Sequence, residues 1–214
     1  MADSVDVADP RSLELAAAAL SRGCVVAVPT DTVYGLAADP SLPEAVAGLF
    51  ALKQRPTDVP LPVLVASRHQ VAEIAGPLEP AARHLADRFW PGPLTLVVPR
   101  LPTFKADLGG PTAARRTVGV RLPDHPFMRA LCEAVGPLAV TSANPHGAPP
   151  AVSAHQVTTA FPGADPLVLV VDGGICDGTP SSVVECRGPA SRGLREGALP
   201  WAELFPEGTG QAWG

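Results

Sequence analysis

The chain is poor in charge, in aromatic side chains and in lysine. Only 17% of its 214 residues are charged and 5% are aromatic. Of the 16 cationic residues only Lys53 and Lys105 are lysines, so arginine is the default cation and Lys53 stands out as the less expected choice. The formal net charge of −5 argues against a protein held to nucleic acid by bulk electrostatics, and no aromatic interleaving of basic residues points to an RNA platform. Cys24, Cys132, Cys176 and Cys186 are widely spaced, with no Cys-x-x-Cys pair and no histidine at ligand spacing, which leaves no signal for a zinc site or a disulfide framework. The acidic start, Met1 to Pro10, lacks the cationic and apolar parts of a signal peptide, and no apolar run reaches spanning length, so a soluble cytoplasmic protein with no membrane contact is expected. Neither a Gly-x-x-x-x-Gly-Lys-Ser/Thr loop nor a Gly-x-Gly-x-x-Gly turn occurs, and no Gly-x-Ser-x-Gly elbow surrounds any serine. A bound nucleotide would therefore need dispersed anion-binding groups, and no acidic cluster names ligands for a metal.

What is present is 46% hydrophobic content cut into short runs by 20 glycines and 26 prolines, the signature of many short elements joined by turns. Asp9-Pro10 reads as a cap and first-turn proline for a helix ending at Gly23. Cys24 to Val28 reads as a buried strand that Pro29 stops. It releases into Thr30-Asp31-Thr32-Val33-Tyr34-Gly35, where hydroxyls, an acid and a phenol exceed what a helix cap needs, and Gly35 permits a tight turn or a close approach. Ser41 to Glu44 has capping-box spacing before a helix that ends with Lys53 and Arg55, cations suited to a helix C-terminus. Leu61 to Val65 follows as a strand whose Pro62 suggests an edge or an irregular start. Pro80 to Phe89 is helical, Leu94 to Val98 a strand, and Pro99 to Arg116 an exposed excursion. Arg121 lies in the apolar strand Val118 to Leu122, either edge-exposed or committed to an anion. After the helix Phe127 to Val135, the strand Leu138 to Thr141 releases a second polar exit at Ser142 and Asn144. Ser153 caps a short helix to Ala160, Leu167 to Val171 is another strand, and late strand material is expected at Ser181 to Cys186 and Leu194 to Gly197. Helices alternate with strands, with turn-linked strands near Trp90 and after Ser181. The expected class is therefore α/β, a three-layer arrangement of a twisted mixed sheet flanked by helices, with its polar exits gathered at one rim. Residues 1–9 are expected to be flexible, 10–204 to form one catalytic domain and 205–214 to fray.

The ordered set Pro29-Thr30-Asp31-Thr32-Val33-Tyr34-Gly35-Leu36, Lys53-x-Arg55-Pro56, Trp90-Pro91-Gly92-Pro93-Leu94-Thr95, Val120-Arg121-Leu122-Pro123, Thr141-Ser142-Ala143-Asn144, Ser181-Ser182-Val183-Val184 and Leu194-Arg195-Glu196-Gly197 resembles the YrdC-like threonylcarbamoyl-AMP synthases. The resemblance implies the YrdC-like fold and an enzyme joining L-threonine, bicarbonate and ATP into threonylcarbamoyl-adenylate, with release of pyrophosphate. A downstream transferase complex would then use the adenylate to modify the tRNA adenosine beside the anticodon. It implies catalytic and ATP-binding roles for Lys53, Arg55, Ser142 and Asn144, ATP contact by Arg195, and threonine binding by Thr32, Arg121, Thr141 and Ser181. Mg2+ would accompany ATP without assignable protein ligands. Two departures stand out: Leu64 where some members have histidine, and Ser182 where threonine is usual. The extra C-terminal domain of longer members is not expected. Two other readings stand beside the synthase: a module binding tRNA or double-stranded RNA, and a carbamoyl-transfer paralogue with the same pocket.

Overall fold

The computed structural model describes residues 2–111, 116–163, 165–187, 190–206 and 210–212. Its strands are β1 (Asp3–Asp6), β2 (Val25–Val28), β3 (Gly35–Ala38), β4 (Val63–Leu64), β5 (Leu94–Pro99), β6 (Thr117–Arg121), β7 (Leu138–Ser142), β8 (Leu167–Asp172), β9 (Ser182–Arg187), β10 (Ala190–Arg195) and β11 (Gly210–Ala212). The helices are α1 (Ser12–Ser21), α2 (Pro43–Lys53), α3 (Arg68–Ala75), α4 (Pro80–Phe89), α5 (Pro126–Val135), α6 (Ala154–Ala160) and α7 (Trp201–Leu204). All the strands join one 11-stranded sheet in the order β1-β8-β2-β3-β7-β4-β6-β5-β9-β10-β11. Pairing is mixed: β8 lies parallel to β1 and β2, whereas β3 runs antiparallel to both β2 and β7.

Strand alternation sends successive side chains to opposite faces, and each face carries its own core. Val26, Val28, Ala37, Leu138 and Val140 pack under α1 and α5, against Ala16, Leu20, Met128 and Leu131. Val25, Ala27, Leu36, Val63 and Ala139 face the other side, beneath α2, α4 and α6, against Leu49, Phe50, Leu85 and Val157. The result is the expected three-layer α/β arrangement.

Several local expectations are corrected. The N-terminus is not free: Asp3–Asp6 adds an edge strand to β8, in register from Asp3 opposite Leu169. In the tail, Gly210–Ala212 pairs with β10, and Phe205 rests 5.6 Å from the Trp201 ring; residues 207–209, 213 and 214 lie outside the described residues. Pro62 does not mark an edge, since β4 sits inside the sheet between β7 and β6; the proline instead shortens β4 to two residues. Ser41 caps no helix because its hydroxyl turns back to Asp39, and α2 starts from Leu42 with Pro43 at its first position. Asp9 likewise accepts from the Arg11 amide in a turn ahead of α1. The Pro99 to Arg116 excursion is not wholly exposed, since Leu108 is buried and its carbonyl accepts from the Leu61 amide. Gly35 makes a close approach and no turn: it opens β3, and a Cβ there would lie 2.6 Å from Val140 Cγ1.

Candidate active site

The C-terminal end of β2, the start of β3 and the ends of β6 and β7 open together on a cavity of about 190 Å³. Thr32, Arg55, Arg121, Thr141, Ser142, Ser181 and Arg195, expected from sequence to share a site, all line it. An adjoining cavity of about 260 Å³ shares Arg55, Pro62, Thr95, Ser181 and Arg195, and is walled by Leu61, Val97, Val118, Val183 and Leu194. Taken together they fall in the roughly 300–1,000 Å³ range of small-molecule sites. A larger cleft of about 690 Å³ beside α2 shares Arg55 but is lined mainly by apolar side chains and by Asp58 and Asp107. It lacks the convergent hydroxyls and arginines of the other two.

Arg121 is the most constrained group. It is 5% exposed, and its guanidinium donates from Nε to the Gly92 carbonyl at 3.1 Å, from Nη1 to Thr32 Oγ1 at 2.9 Å and from Nη2 to Asp31 Oδ1 at 2.6 Å. The anion to which this strand arginine is committed therefore comes from the loop after β2. Burial pulls its pKa down, and the Asp31 charge opposes that shift. Asp31 Oδ2 is buried without a hydrogen-bond partner among the described residues.

The hydroxyls form two relays. Thr30 Oγ1 lies 3.0 Å from Thr32 Oγ1 and donates to the Val33 carbonyl, which folds the exit of β2 into the site. Thr95 Oγ1 lies 2.9 Å from Ser181 Oγ, and Arg195 donates from Nη2 to the Ser181 carbonyl at 2.7 Å. Behind them Tyr34 donates to the Gly174 carbonyl at 2.9 Å and accepts from the Gly173 amide, and burial pushes its pKa up to about 12. It pins the turn after β8 as a neutral phenol.

Arg55 follows Gln54, which leaves α2 in the left-handed region at φ +51°, and its guanidinium reaches the Val59 and Pro60 carbonyls. Burial lowers the pKa of Arg55, and lowers that of Arg195 with help from the like charges of Arg121 and Arg55. Lys53 falls to about 8, first through burial and then through Arg55. Neither cavity contains a carboxylate in its lining, so the cations crowd a space that favours an anion.

Two expected residues are placed otherwise. Lys53 does not face a pocket: it is 2% exposed, and its ammonium donates to the Ser142 carbonyl, the Asn144 carbonyl at 2.7 Å and Asn144 Oδ1 at 3.2 Å. Asn144 lies with it behind the cavity wall, its amide donating to the Pro145 and Ala148 carbonyls. Thr30 and Thr95 join the lining although the sequence reading gave them no role; Thr30 lies two residues from Thr32, which was an available signal, whereas Thr95 meets Ser181 only through the fold. Leu64, at the position of the first departure, forms part of the apolar wall with Pro62 and Val140.

No group of three or more His, Cys, Asp or Glu is placed to hold a metal among the described residues. The cavity linings offer hydroxyls and cations, a donor set that does not fit a protein-held Mg2+.

Residues 18–197 match the Sua5/YciO/YrdC family, whose description is "Telomere recombination". The chain belongs to this family. Among family members, the threonylcarbamoyl-AMP synthase of Bacillus subtilis is 39% identical over 201 residues, covering 92% of this chain and 56% of that protein. The threonylcarbamoyl-AMP synthase of Marinobacter nauticus is 38% identical over 177 residues, covering 79% of this chain and 89% of that one. The structure of P. abyssi Sua5 complexed with L-threonine superposes with a TM-score of 0.87 at 34% identity, covering all of this chain and 62% of that chain. This chain thus spans little more than half of the longer Sua5-type proteins. The mixed sheet with helices on both faces is the fold it shares with Sua5.

Proposed function

We propose that this protein is an L-threonylcarbamoyladenylate synthase, a nucleotidyltransferase that converts L-threonine, bicarbonate and ATP into threonylcarbamoyl-AMP and pyrophosphate for tRNA modification. The observation that carries the reading is the convergence of Arg55, Arg121 and Arg195 on a hydroxyl-lined cavity without a carboxylate in its wall. A site so charged is suited to phosphates and an amino-acid carboxylate. We take the chain from the edge strand β1 to β11 as one catalytic domain working in the cytoplasm, since both strands join the same sheet as the site; no helix among the described residues is long and apolar enough to cross a membrane.

The two cavities suggest a division of labour. Arg121, Thr32, Thr141 and Ser181 would receive threonine: Arg121 has two N–H groups beyond its three hydrogen bonds, available to a carboxylate. The apolar walls of the adjoining cavity suit a purine and ribose, with Arg55 and Arg195 at its junction facing the phosphates. Ser142 would contribute a hydroxyl at the same junction. The threonine nitrogen attacks the carbon of bicarbonate-derived carbon dioxide and loses a proton to form a carbamate. A carbamate oxygen then attacks the α-phosphorus as the bond to pyrophosphate breaks. Negative charge accumulates on the phosphate oxygens, where fixed guanidinium groups are already in place, so catalysis rests on positioning and electrostatics without a side-chain nucleophile. Mg2+ would accompany ATP, carried by the nucleotide's own phosphates. A transferase complex would take the adenylate onward to tRNA.

The test is pyrophosphate release from ATP with threonine, serine, valine or no amino acid, each with and without bicarbonate. Release is expected only with both threonine and bicarbonate present. Valine should fail more completely than serine, because an unpaired buried polar group costs about 1–3 kcal/mol and a missing methyl about 0.8 kcal/mol. Equal release without threonine refutes the proposal.

A further inference from the structure

We propose that Lys53 is a positioning residue, a strut that holds the exit of β7 from behind, and that it does not itself contact the substrate anion. The proposal deepens the synthase reading by assigning the work of the conspicuous lysine within that site.

An ammonium carries three N–H donors and no acceptor. In Lys53 three acceptors take them: the Ser142 carbonyl, the Asn144 carbonyl and Asn144 Oδ1. No donor remains for a phosphate oxygen. The clasp closes in the other direction as well, because the Lys53 carbonyl accepts from the His146 amide at 3.0 Å. Asn144 extends it by donating from Nδ2 to the Pro145 carbonyl at 2.9 Å and the Ala148 carbonyl at 2.6 Å. One helix end therefore fixes the backbone from which Thr141 and Ser142 reach the cavity.

The residue type follows from this geometry. The carbonyls of Ser142 and Asn144 and the Asn144 side-chain oxygen surround a compact tripod, whereas a planar guanidinium fork presents its donors in one plane. In a chain whose cations are otherwise almost all arginine, lysine stands where an arginine fork would not fit. Swinging Lys53 into the cavity would strip these acceptors of their donor inside the protein, a loss a single phosphate contact does not restore. Arg55, two residues on, already occupies the cavity side of the same helix exit.

Amide hydrogen exchange on the ligand-free protein tests this directly. Lys53→Met is expected to speed exchange at the His146 and Ala148 amides about tenfold, which is what about 1.4 kcal/mol of lost hydrogen bonding amounts to. Arg55→Met, which alters the cavity side only, should leave those amides unchanged. Calorimetric titration of Lys53→Met should show nucleotide and threonine binding both weakened, since Ser142 and Thr141 share the loosened strand end. Lys53→Arg should rescue neither, and its kcat at saturating substrates, well below its melting temperature, should stay low. Should Lys53→Met fail to fold, Asn144→Ala removes one acceptor and both loop donors while leaving the ammonium, and faster exchange at Ala148 is again expected. Unchanged exchange with a loss confined to nucleotide, or substantial rescue by Lys53→Arg, would overturn the strut and make Lys53 a phosphate ligand. Because the exchange arm uses no ligand, its success in a protein that binds neither threonine nor nucleotide would sink the synthase reading and leave the strut standing.

Discussion

Replacing Asp31 with asparagine keeps the shape of the Arg121 clasp and removes its charge. The two side chains are 7% and 12% exposed and meet at 2.6 Å, so neither is effectively solvated. At that distance and an effective dielectric near 20, the attraction is about 6 kcal/mol before desolvation is set against it. Truncating one partner of such a pair costs about 3–5 kcal/mol, because the remaining charge is stranded. Asparagine retains one hydrogen bond to the guanidinium, so the lower end, about 3 kcal/mol, is the expectation. In a chain of this size each kcal/mol moves the melting temperature by about 2–4 °C, giving a fall of about 6–12 °C in scanning calorimetry. A second effect has the opposite sign. Arg121 in Asp31→Asn has no anion of its own, so an incoming threonine carboxylate should raise the melting temperature more than it does in the wild type. A fall smaller than about 2 °C, together with an unchanged threonine response, would show that the ion pair neither holds the site nor tempers its affinity.

Arg121→Lys should weaken threonine binding at least about tenfold while leaving ATP binding largely intact, since an ammonium cannot hold Gly92, Thr32 and Asp31 and still grip a carboxylate at two points; titration with each ligand decides, and loss of ATP alone would mean the two halves of the site are exchanged. Gly35→Ala forces its Cβ against Val140 Cγ1 and should cost about 1–3 kcal/mol of stability while narrowing the cavity; urea melts and threonine affinity report the two effects, and wild-type values of both would contradict the close approach. Lys53 has a folded pKa of about 8, below its ordinary 10.5, so between those values the unfolded chain binds a proton that the folded one does not. Its unfavourable contribution is complete below pH 8 and is relieved as pH rises toward 10.5, so wild type should gain about 3 kcal/mol relative to Lys53→Met across that window. Parallel unfolding free energies for the two proteins from pH 7.5 to about 10.5 would disprove it.

The polar exits were legible because a buried strand that ends in hydroxyls breaks its own pattern: Val25–Val28 yields to Thr30 and Thr32, and Leu138–Val140 to Thr141 and Ser142. Arg121 stood out for the same reason, as a charge in an apolar strand that had to be either edge-exposed or committed to an anion. Its partner could not be read, since Asp31 lies 90 residues away and only the sheet order brings them together. β3 was missed because Gly35-Leu36-Ala37-Ala38 has none of the β-branched bulk that marks a strand, yet as a central strand buried on both faces it is well served by small side chains. Small size is also why α3 escaped notice: eight residues with only Val71 and Ile74 buried make a faint stripe, although Ser67 caps it in the expected manner. The resemblance placed Lys53 against ATP, and its local sequence offered no reason to look elsewhere. A cation at a helix C-terminus is ordinarily a solvated charge, and nothing in the run Leu52-Lys53-Gln54 says that the β7 exit waits beside it.

β4 contributes two residues, Val63 and Leu64, to the middle of an 11-stranded sheet. On one side of that narrow seam stand β1, β8, β2, β3 and β7; on the other stand β6, β5, β9, β10 and β11. Thr32, Thr141 and Ser142 belong to the first half, while Thr95, Arg121, Ser181 and Arg195 belong to the second. The sheet is thus two jaws sewn together by a short seam, which the Pro62 carbonyl and the Val65 amide extend by one bond on each side, and the bite between them is the cavity. Mechanically, the bonds from Arg121 to Asp31 and Thr32 are the latch across the gape, so a shift of one jaw against the other would have to stretch them and change the grip on whatever lies between.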